Sequence, residues 1–364
     1  MTERVFNFSP GPAILPVPVL EQAQRDLVAL PGVGMSVMEL SHRSKTFEAI
    51  LAEARSLLVE LLKIPSGYSV LFLQGGASLQ FAMIPMNYLR GSAKPADYII
   101  SGTWGGKALA DAKREGAVNV AWDGKADKYA RLPAKSELKL TDGAPYVHYT
   151  SNETIQGVQF QAAPEVGAAP LVCDASSDFL SRPVAIDKHA LIFACAQKNA
   201  GISGVTTIIL RDDLLPRGAE GLSPMLDYRV QAENQSLYNT PPTFAIYITM
   251  LIGRWLRDEI GGLDKMAALN RRKSKLLYDT LDSSGGFYRG HAEKPSRSDM
   301  NVTFRLPSEE LENAFVAEAK QRKLVELKGH RSVGGIRASI YNAMPLAGVE
   351  TLRDFMLEFQ KKHG

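Results

Sequence analysis

Cysteine is scarce: Cys173 and Cys195 are the only two, each inside an apolar run, which argues against both a disulfide framework and a Cys-x-x-Cys metal centre. A reducing cytoplasm is the expected setting, and no metal site is expected. Charge of one sign is also missing. The 42 basic residues are interspersed with 39 acidic ones for a net charge of +3, which leaves no basic stripe for nucleic acid. No run of about 18 consecutive apolar residues occurs, and Met1-Thr-Glu-Arg-Val-Phe lacks the core of a signal peptide, so no membrane partner is expected. The longest apolar segment, Phe244 to Trp255, is interrupted by Gly253 and Arg254 and reads as a buried helix. There is no internal repeat and no low-complexity tract.

What remains is an ordinary globular composition, 45% apolar and 22% charged, over 364 residues, a length that favours one large and one small domain. Phe6-Asn-Phe-Ser-Pro-Gly-Pro-Ala13 is too rich in turn formers for a regular element and reads as an ordered arm. Helical spacing runs from Pro18 to Leu30. Seven short apolar runs then follow: 69–73, 98–100, 118–121, 146–149, 171–173, 191–194 and 206–210. Amphipathic stretches such as 47–63, 78–88 and 106–115 are long enough to cross over between them, so the pattern predicts a doubly wound, mostly parallel α/β sheet. Beyond Gly261-Gly262 the texture changes to helical runs at 265–281 and 309–323, between strand-like pieces at 301–305 and 335–339. A smaller α+β domain is expected there, with boundaries of 16–258 for the large domain and 1–15 plus 259–364 for the small domain with its arm.

In doubly wound sheets, ligands sit at the carboxyl ends of the strands. Leu191-Ile-Phe-Ala-Cys-Ala-Gln-Lys198 drives a buried strand into a lysine, and burial lowers a lysine's pKa enough to make it a nucleophile towards an aldehyde. A lysine leaving a strand end for solvent is the commoner arrangement. Pro170-Leu-Val-Cys-Asp174, one αβ crossover upstream, ends in an aspartate at the equivalent place, although capping a helix is an aspartate's usual work there. Together the two residues match what pyridoxal 5′-phosphate requires, an amine for the Schiff base and a carboxylate that keeps the pyridine nitrogen protonated. Phe72-Leu-Gln-Gly-Gly-Ala77-Ser78 is a strand, a glycine turn and a helix start, which suits a phosphate but is not the GxxxxGK[ST] loop of nucleotide triphosphate sites. Trp104, among glycines after another strand, suits a flat ring or a core position equally. Thr154, in Asn152-Glu-Thr154, follows the 146–149 run and either donates a hydroxyl or caps.

These segments resemble the phosphoserine aminotransferase family, within the aspartate-aminotransferase-like fold type I enzymes. The resemblance runs the whole length, through Phe6–Ala13, Ser41-His-Arg-Ser-Lys45, Gly75-Gly-Ala-Ser78, Ser151-Asn-Glu-Thr154, Asp174-Ala-Ser-Ser177, Ala196-Gln-Lys-Asn199, Tyr238-Asn-Thr-Pro-Pro-Thr243, Lys328-Gly-His-Arg331 and Arg337-Ala-Ser-Ile-Tyr-Asn-Ala-Met-Pro345. It implies a mostly parallel seven-stranded sheet between helices plus a smaller α+β domain. It also implies Lys198 as Schiff-base lysine, Asp174 as pyridinium partner, Trp104 stacked on the ring and Thr154 on its 3′ oxygen. Ala77, Ser78 and Gln197 would bind the phosphate, joined by Asn239 and Thr240 of a second subunit, which makes a homodimer with shared active sites. Some members carry an arginine where this chain has Ser78, so a cationic contact from that loop is missing here.

The implied reaction moves an amino group between L-glutamate and 3-phosphohydroxypyruvate in serine biosynthesis, with 4-phosphohydroxythreonine, a precursor of the cofactor, as a further candidate product. Arg337 suits the α-carboxylate through its bidentate fork. His42 with Arg43, and His330 with Arg331, suit a phosphate in one half-reaction and a side-chain carboxylate in the other; each arginine on its own reads equally as a surface residue. His148, His189, His291 and His363 have no chemical company. The alternatives are another enzyme of this fold, such as a different aminotransferase, a decarboxylase or a cysteine desulfurase, which needs a mobile thiol, or a non-catalytic binding protein that kept the fold, against which Lys198 and Asp174 stand together.

Overall fold

The computed structural model describes residues 4–364; residues 1–3, the start of the expected arm, lie outside the described residues. In chain order the elements of the first part are β1 (Phe6–Asn7), α1 (Val17–Val28), α2 (Lys45–Leu62), β2 (Tyr68–Leu73), α3 (Gly76–Tyr88), β3 (Ala96–Ile100), α4 (Thr103–Ala112), β4 (Val118–Asp123), β5 (Val147–Thr150), β6 (Asn152–Glu153), β7 (Val158–Gln159), β8 (Leu171–Asp174), β9 (Leu191–Cys195), β10 (Thr206–Arg211), α5 (Tyr228–Glu233) and α6 (Thr243–Arg254). The second part contains α7 (Leu263–Ser283), β11 (Arg289–Gly290), β12 (Asn301–Arg305), α8 (Glu309–Gln321), β13 (Leu324–Val325), β14 (Ile336–Ser339) and α9 (Leu346–His363).

The large sheet has seven strands in the order β2-β10-β9-β8-β5-β3-β4. Only β10 runs antiparallel to its neighbours; the other pairings are parallel. Helices cover both faces, so the central strands are apolar without alternation, and β9 is buried at all five positions. α2 shows how such a helix is specified. Ser44 caps it by accepting from the Phe47 N–H at 3.2 Å, and Phe47, Ile50, Leu51, Ala54, Leu57, Leu58 and Leu61 form its buried stripe.

The crossover expected between the strands bearing Asp174 and Lys198 is not an α-helix. Residues 175–190 fold as turns with a single 3-10 turn at Ile186–Lys188. The cause is local: Ser181 Oγ donates to the Asp178 carbonyl and Ser151 to the Asp178 carboxylate, and Pro183 cannot continue a helix. The apolar segment 244–255, read as a buried helix, is α6, which is buried from Ala245 to Gly253 and passes at its end into a π-helical stretch, Trp255–Ile260.

In the second part β11, β12 and β14 form an antiparallel sheet backed by α7, α8 and α9. Phe304, Phe315, Phe355 and Phe359 interlock at its centre, with Phe315 4.8 Å from Phe355 and 5.2 Å from Phe359 between ring centroids. The N-terminal β1 pairs with β13. A lysine also lies inside this part: Lys273 of α7 is fully buried, and its ammonium donates to the carbonyls of Ile340, Tyr341, Asn342 and Met344 at 2.8–3.4 Å. Burial pulls its pKa down to about 7.

Candidate active site

Because β8 and β9 are adjacent and parallel, their carboxyl ends bring Asp174 and Lys198 to one edge of the sheet. Both side chains line a cavity of 360 Å³. Asp174 is 3% exposed and accepts from the Ser176 N–H at 2.9 Å. Burial pushes its carboxyl pKa up, against the pull of Ser176 and the nearby Lys198 ammonium. Lys198 Nζ donates to Thr154 Oγ1 at 2.9 Å and lies 5.7 Å from the centroid of the Trp104 ring.

Each wall has a structural origin. β2 turns sharply into α3 at Gly75 and Gly76, with φ values of 87° and 64°. A Cβ at Gly75 would stand 2.5 Å from Leu79, so only glycine makes this turn, and it leaves Ala77 and Ser78 on the cavity wall at the positive end of α3. Trp104 forms a second wall from the first turn of α4. The N-terminal arm closes a third side through Pro10 and Gly11, held by the Ala13 N–H on the Gln197 carbonyl at 2.8 Å and by Tyr341 Oη on the Pro10 carbonyl at 2.7 Å.

The small sheet supplies the fourth side. Arg337 of β14 is 6% exposed, lines the cavity, and its Nε has no hydrogen-bond partner among the described residues. Burial without a counter-anion lowers its pKa. His330 lines the same wall, and burial together with the charges of Arg337, Arg331 and Lys107 lowers its pKa too. Trp104 Nε1 and Thr150 Oγ1, also on the lining residues, are likewise buried without partners.

The cavity thus gathers Lys198, Asp174, Ala77, Ser78, Trp104, Thr154, Gln197, His330 and Arg337 of the residues singled out in the sequence. It does not gather the other five. Arg331 is exposed on the far side of the 330–334 turn, in a depression with Arg305 and Glu312. His42 and Arg43 sit at the turn before α2, with Arg43 Nε donating to His42 Nε2 at 3.4 Å. Asn239 and Thr240 lie ahead of α6, where the Thr240 carbonyl accepts from Gln74 Nε2 at 3.2 Å.

Sequence reasoning passed over four contributors. The Ser176 N–H donates to the Asp174 carboxylate; Cys195 lines the cavity with its thiol accepting from the Ala77 N–H at 2.9 Å; Asn199 accepts from the Asn342 N–H at 2.9 Å; and Glu153 is fully buried beside Trp104. All four stand next to residues that drew attention, but their work is done through backbone groups that no side-chain pattern announces. Both cysteines are free and buried, and burial raises their pKa values, the reverse of what a mobile thiolate nucleophile requires. Among the described residues no cluster of His, Cys, Asp and Glu could hold a metal, and no helix is long and apolar enough to cross a membrane.

An amine and a carboxylate facing one cavity, a helix start able to bind an anion, a flat indole wall and a buried unpaired arginine define the site of a group-transfer enzyme that works on small anionic molecules. The model of the class-V aminotransferases matches residues 5–352. A phosphoserine aminotransferase of Rhodopirellula baltica is 54% identical over 99% of this chain and 96% of its own length. Among solved structures, the phosphoserine aminotransferase of Bacillus circulans subsp. alkalophilus superposes with a TM-score of 0.97 at 51% identity, all of both chains being covered. The cofactor-bound phosphoserine aminotransferase of Trichomonas vaginalis follows at a TM-score of 0.92 and 42% identity, over 97% of this chain and 100% of that one. The chain is therefore a class-V aminotransferase and belongs to the phosphoserine aminotransferase family.

Proposed function

We propose that the protein transfers an amino group reversibly between L-glutamate and 3-phosphohydroxypyruvate, yielding 2-oxoglutarate and O-phospho-L-serine, with pyridoxal 5′-phosphate held in the 360 Å³ cavity. The observation that carries this reading is the meeting of Lys198 and Asp174 in that cavity. The donor set fits the cofactor: Asp174 is a desolvated carboxylate in want of a cation, which a protonated ring nitrogen provides. Ala77 and Ser78 at the start of α3, with Gln197, would hold the phosphate, Thr154 the ring hydroxyl and Trp104 one ring face.

The bound cofactor supplies an electron sink for the substrate's Cα. This chain's residues supply the rest. Lys198 is the base that takes the proton from Cα and delivers it again, and Thr154, its hydrogen-bond partner, holds the amine in place. Arg337, buried and unpaired, takes the α-carboxylate through two parallel hydrogen bonds. His330 faces the distal phosphate or carboxylate, and Arg331, which follows it in the same turn but outside the cavity, adds positive charge nearby. The N-terminal arm and the Trp104 wall exclude water from the same space.

His42, Arg43, Asn239 and Thr240 stand outside this cavity, and we assign them to the site of a second copy in a homodimer. The apolar residues Val17, Val28, Met35 and Met38, 44–84% exposed around α1, support such an interface. A core that joins Phe8 and Ile14 to α7, α8 and α9 supports a small part built from 1–15 and 259–364 beside a large part of 16–258. Two free buried thiols support the reducing cytoplasm as the compartment. 4-Phosphohydroxythreonine, which shares the phosphate and the amine, is the second product to test.

The test is a steady-state comparison of 3-phosphohydroxypyruvate, oxaloacetate and pyruvate as acceptors, with Lys198→Ala as the control. The phosphorylated acceptor should be strongly preferred and the variant inactive. Equal use of the three acceptors would refute the substrate, and activity in the variant would refute the lysine. Mixing Lys198→Ala and Arg43→Ala subunits should restore activity that neither has alone; no recovery in mixed dimers would end the shared-site assignment.

A further inference from the structure

We infer that Glu153 is a positioning residue: its buried carboxylate caps the helix that carries Trp104 and so fixes the indole wall against which the cofactor ring lies. The inference rests on the reading of the cavity as the cofactor's site.

Glu153 ends β6 and is fully buried. An isolated carboxylate in such surroundings is costly unless polar groups replace its water, and no ion pair to it is found among the described residues. Its two oxygens take the place of water on one side only. Oε2 accepts from the Trp104 N–H at 3.0 Å and Oε1 from the Gly105 N–H at 2.8 Å. These are first-turn groups of α4, which have no partner inside the helix, and they sit where the helix dipole favours an anion. Gln156 completes the arrangement, accepting from the Thr103 N–H at 3.3 Å and donating to Thr103 Oγ1 at 2.8 Å.

The helix gives up its own cap to admit this one. Its N-cap is Gly102, and a Cβ there would stand 2.5 Å from Glu153 Cδ and 2.6 Å from Gln156 Oε1. Serine or aspartate, the usual N-caps, would therefore displace the carboxylate. The backbone φ at Gly102 is 175°, so it is the space that demands glycine.

Trp104 needs such an anchor. Among the described residues its Nε1 finds no hydrogen-bond partner, and the charged groups over the ring are Lys107 and Lys198, with Nζ 4.2 Å and 5.7 Å from its centroid. The ring packs against the neighbouring apolar cluster without a hydrogen bond to orient it, so its placement leans on the backbone that carries it, and that backbone is held by Glu153. The carboxylate is itself held by the short β6–β7 hairpin, in which the Gly157 N–H donates to the Glu153 carbonyl at 2.8 Å. The next residue along is Thr154, the partner of Lys198. A single dipeptide therefore sets the lysine with one side chain and the indole wall with the other.

The experiment is a double-mutant cycle read by cofactor binding. Apoenzyme is titrated with pyridoxal 5′-phosphate by visible absorbance, using wild type, Glu153→Gln, Trp104→Ala and the pair. Glutamine keeps the shape but turns an amide N–H₂ towards one backbone donor, so the single change should weaken cofactor binding about tenfold. In the Trp104→Ala background the same change should cost less than about twofold, because the residue it acts through is gone. An equal loss in both backgrounds, or no loss in either, overturns the inference. If Glu153→Gln does not fold, Gly102→Ala pushes on the same carboxylate and is read in the same cycle with the same two outcomes. Wild-type protein that binds no cofactor would instead sink the reading of the cavity itself.

Discussion

Replacing Lys273 with methionine keeps most of the side chain's volume and removes its ammonium. In the native protein three N–H bonds are shared among four carbonyls, those of Ile340, Tyr341, Asn342 and Met344. At roughly 1 kcal/mol net for each bond lost, the variant should be destabilised by about 3 kcal/mol, the relief from burying a charge being partly offset by carbonyls left without donors. With a urea m-value of about 3 kcal/mol/M for a chain this long, the unfolding midpoint should fall by about 1 M. The loop that the ammonium gathers also carries Asn342, whose N–H reaches Asn199, the residue after Lys198. The loss should therefore extend to the site, with a lower kcat/KM even in the fraction that stays folded. The assay is urea unfolding of apoprotein followed by far-ultraviolet circular dichroism, alongside kinetics at low denaturant. A midpoint within about 0.2 M of wild type would refute the argument that these carbonyls depend on the ammonium.

Three further outcomes are expected. Glu153 has its pKa pushed from 4.5 up to about 7 by burial, with Asp174 and Lys198 as the charged groups facing it. The folded state then holds an extra proton between those values, so apoprotein stability from this group falls as pH rises from about 4.5 to 7; Glu153→Gln should flatten that slope by about 2–3 kcal/mol between pH 5 and 8, and an unchanged slope would contradict it. Arg337→Lys should raise the KM for glutamate about tenfold or more while leaving cofactor absorbance intact, since a point charge replaces a two-pronged donor; an unaltered KM would move the carboxylate elsewhere. Asp174→Asn should lower kcat by about a hundredfold or more, the scale of breaking a buried charged pair, and a near-normal rate would mean that the ring nitrogen needs no anion.

The seven strands were legible because strands covered on both faces leave uninterrupted apolar runs, as Leu191–Cys195 does. The meeting of Asp174 and Lys198 was legible for a related reason: polar residues at the ends of such runs have only one edge to occupy. α9 went unread. Its buried Val349, Leu352, Phe355, Met356 and Phe359 keep helical spacing, but Pro345 and a polar outer face make the segment look like a tail. The turns after β8 stand where the αβ pattern implied a crossover helix, because serine and aspartate side chains there satisfy the backbone instead. Glu153 lay in plain view beside Thr154, yet a carboxylate that serves backbone donors has no sequence signature apart from the glycine at 102 that makes room for it.

The two sheets meet across a chain of amides and hydroxyls: Asn152 donates to Ser177 and to Asn301, Ser298 donates to Asn152, and Asn301 donates to Ser339. Every member is buried, and each is completed by a residue contributed from another stretch of the chain. Anyone splicing the last third of a relative onto this protein would therefore have to transplant these asparagines and serines as a set. A chimaera mismatched at one of them would inherit two sound halves and a faulty join.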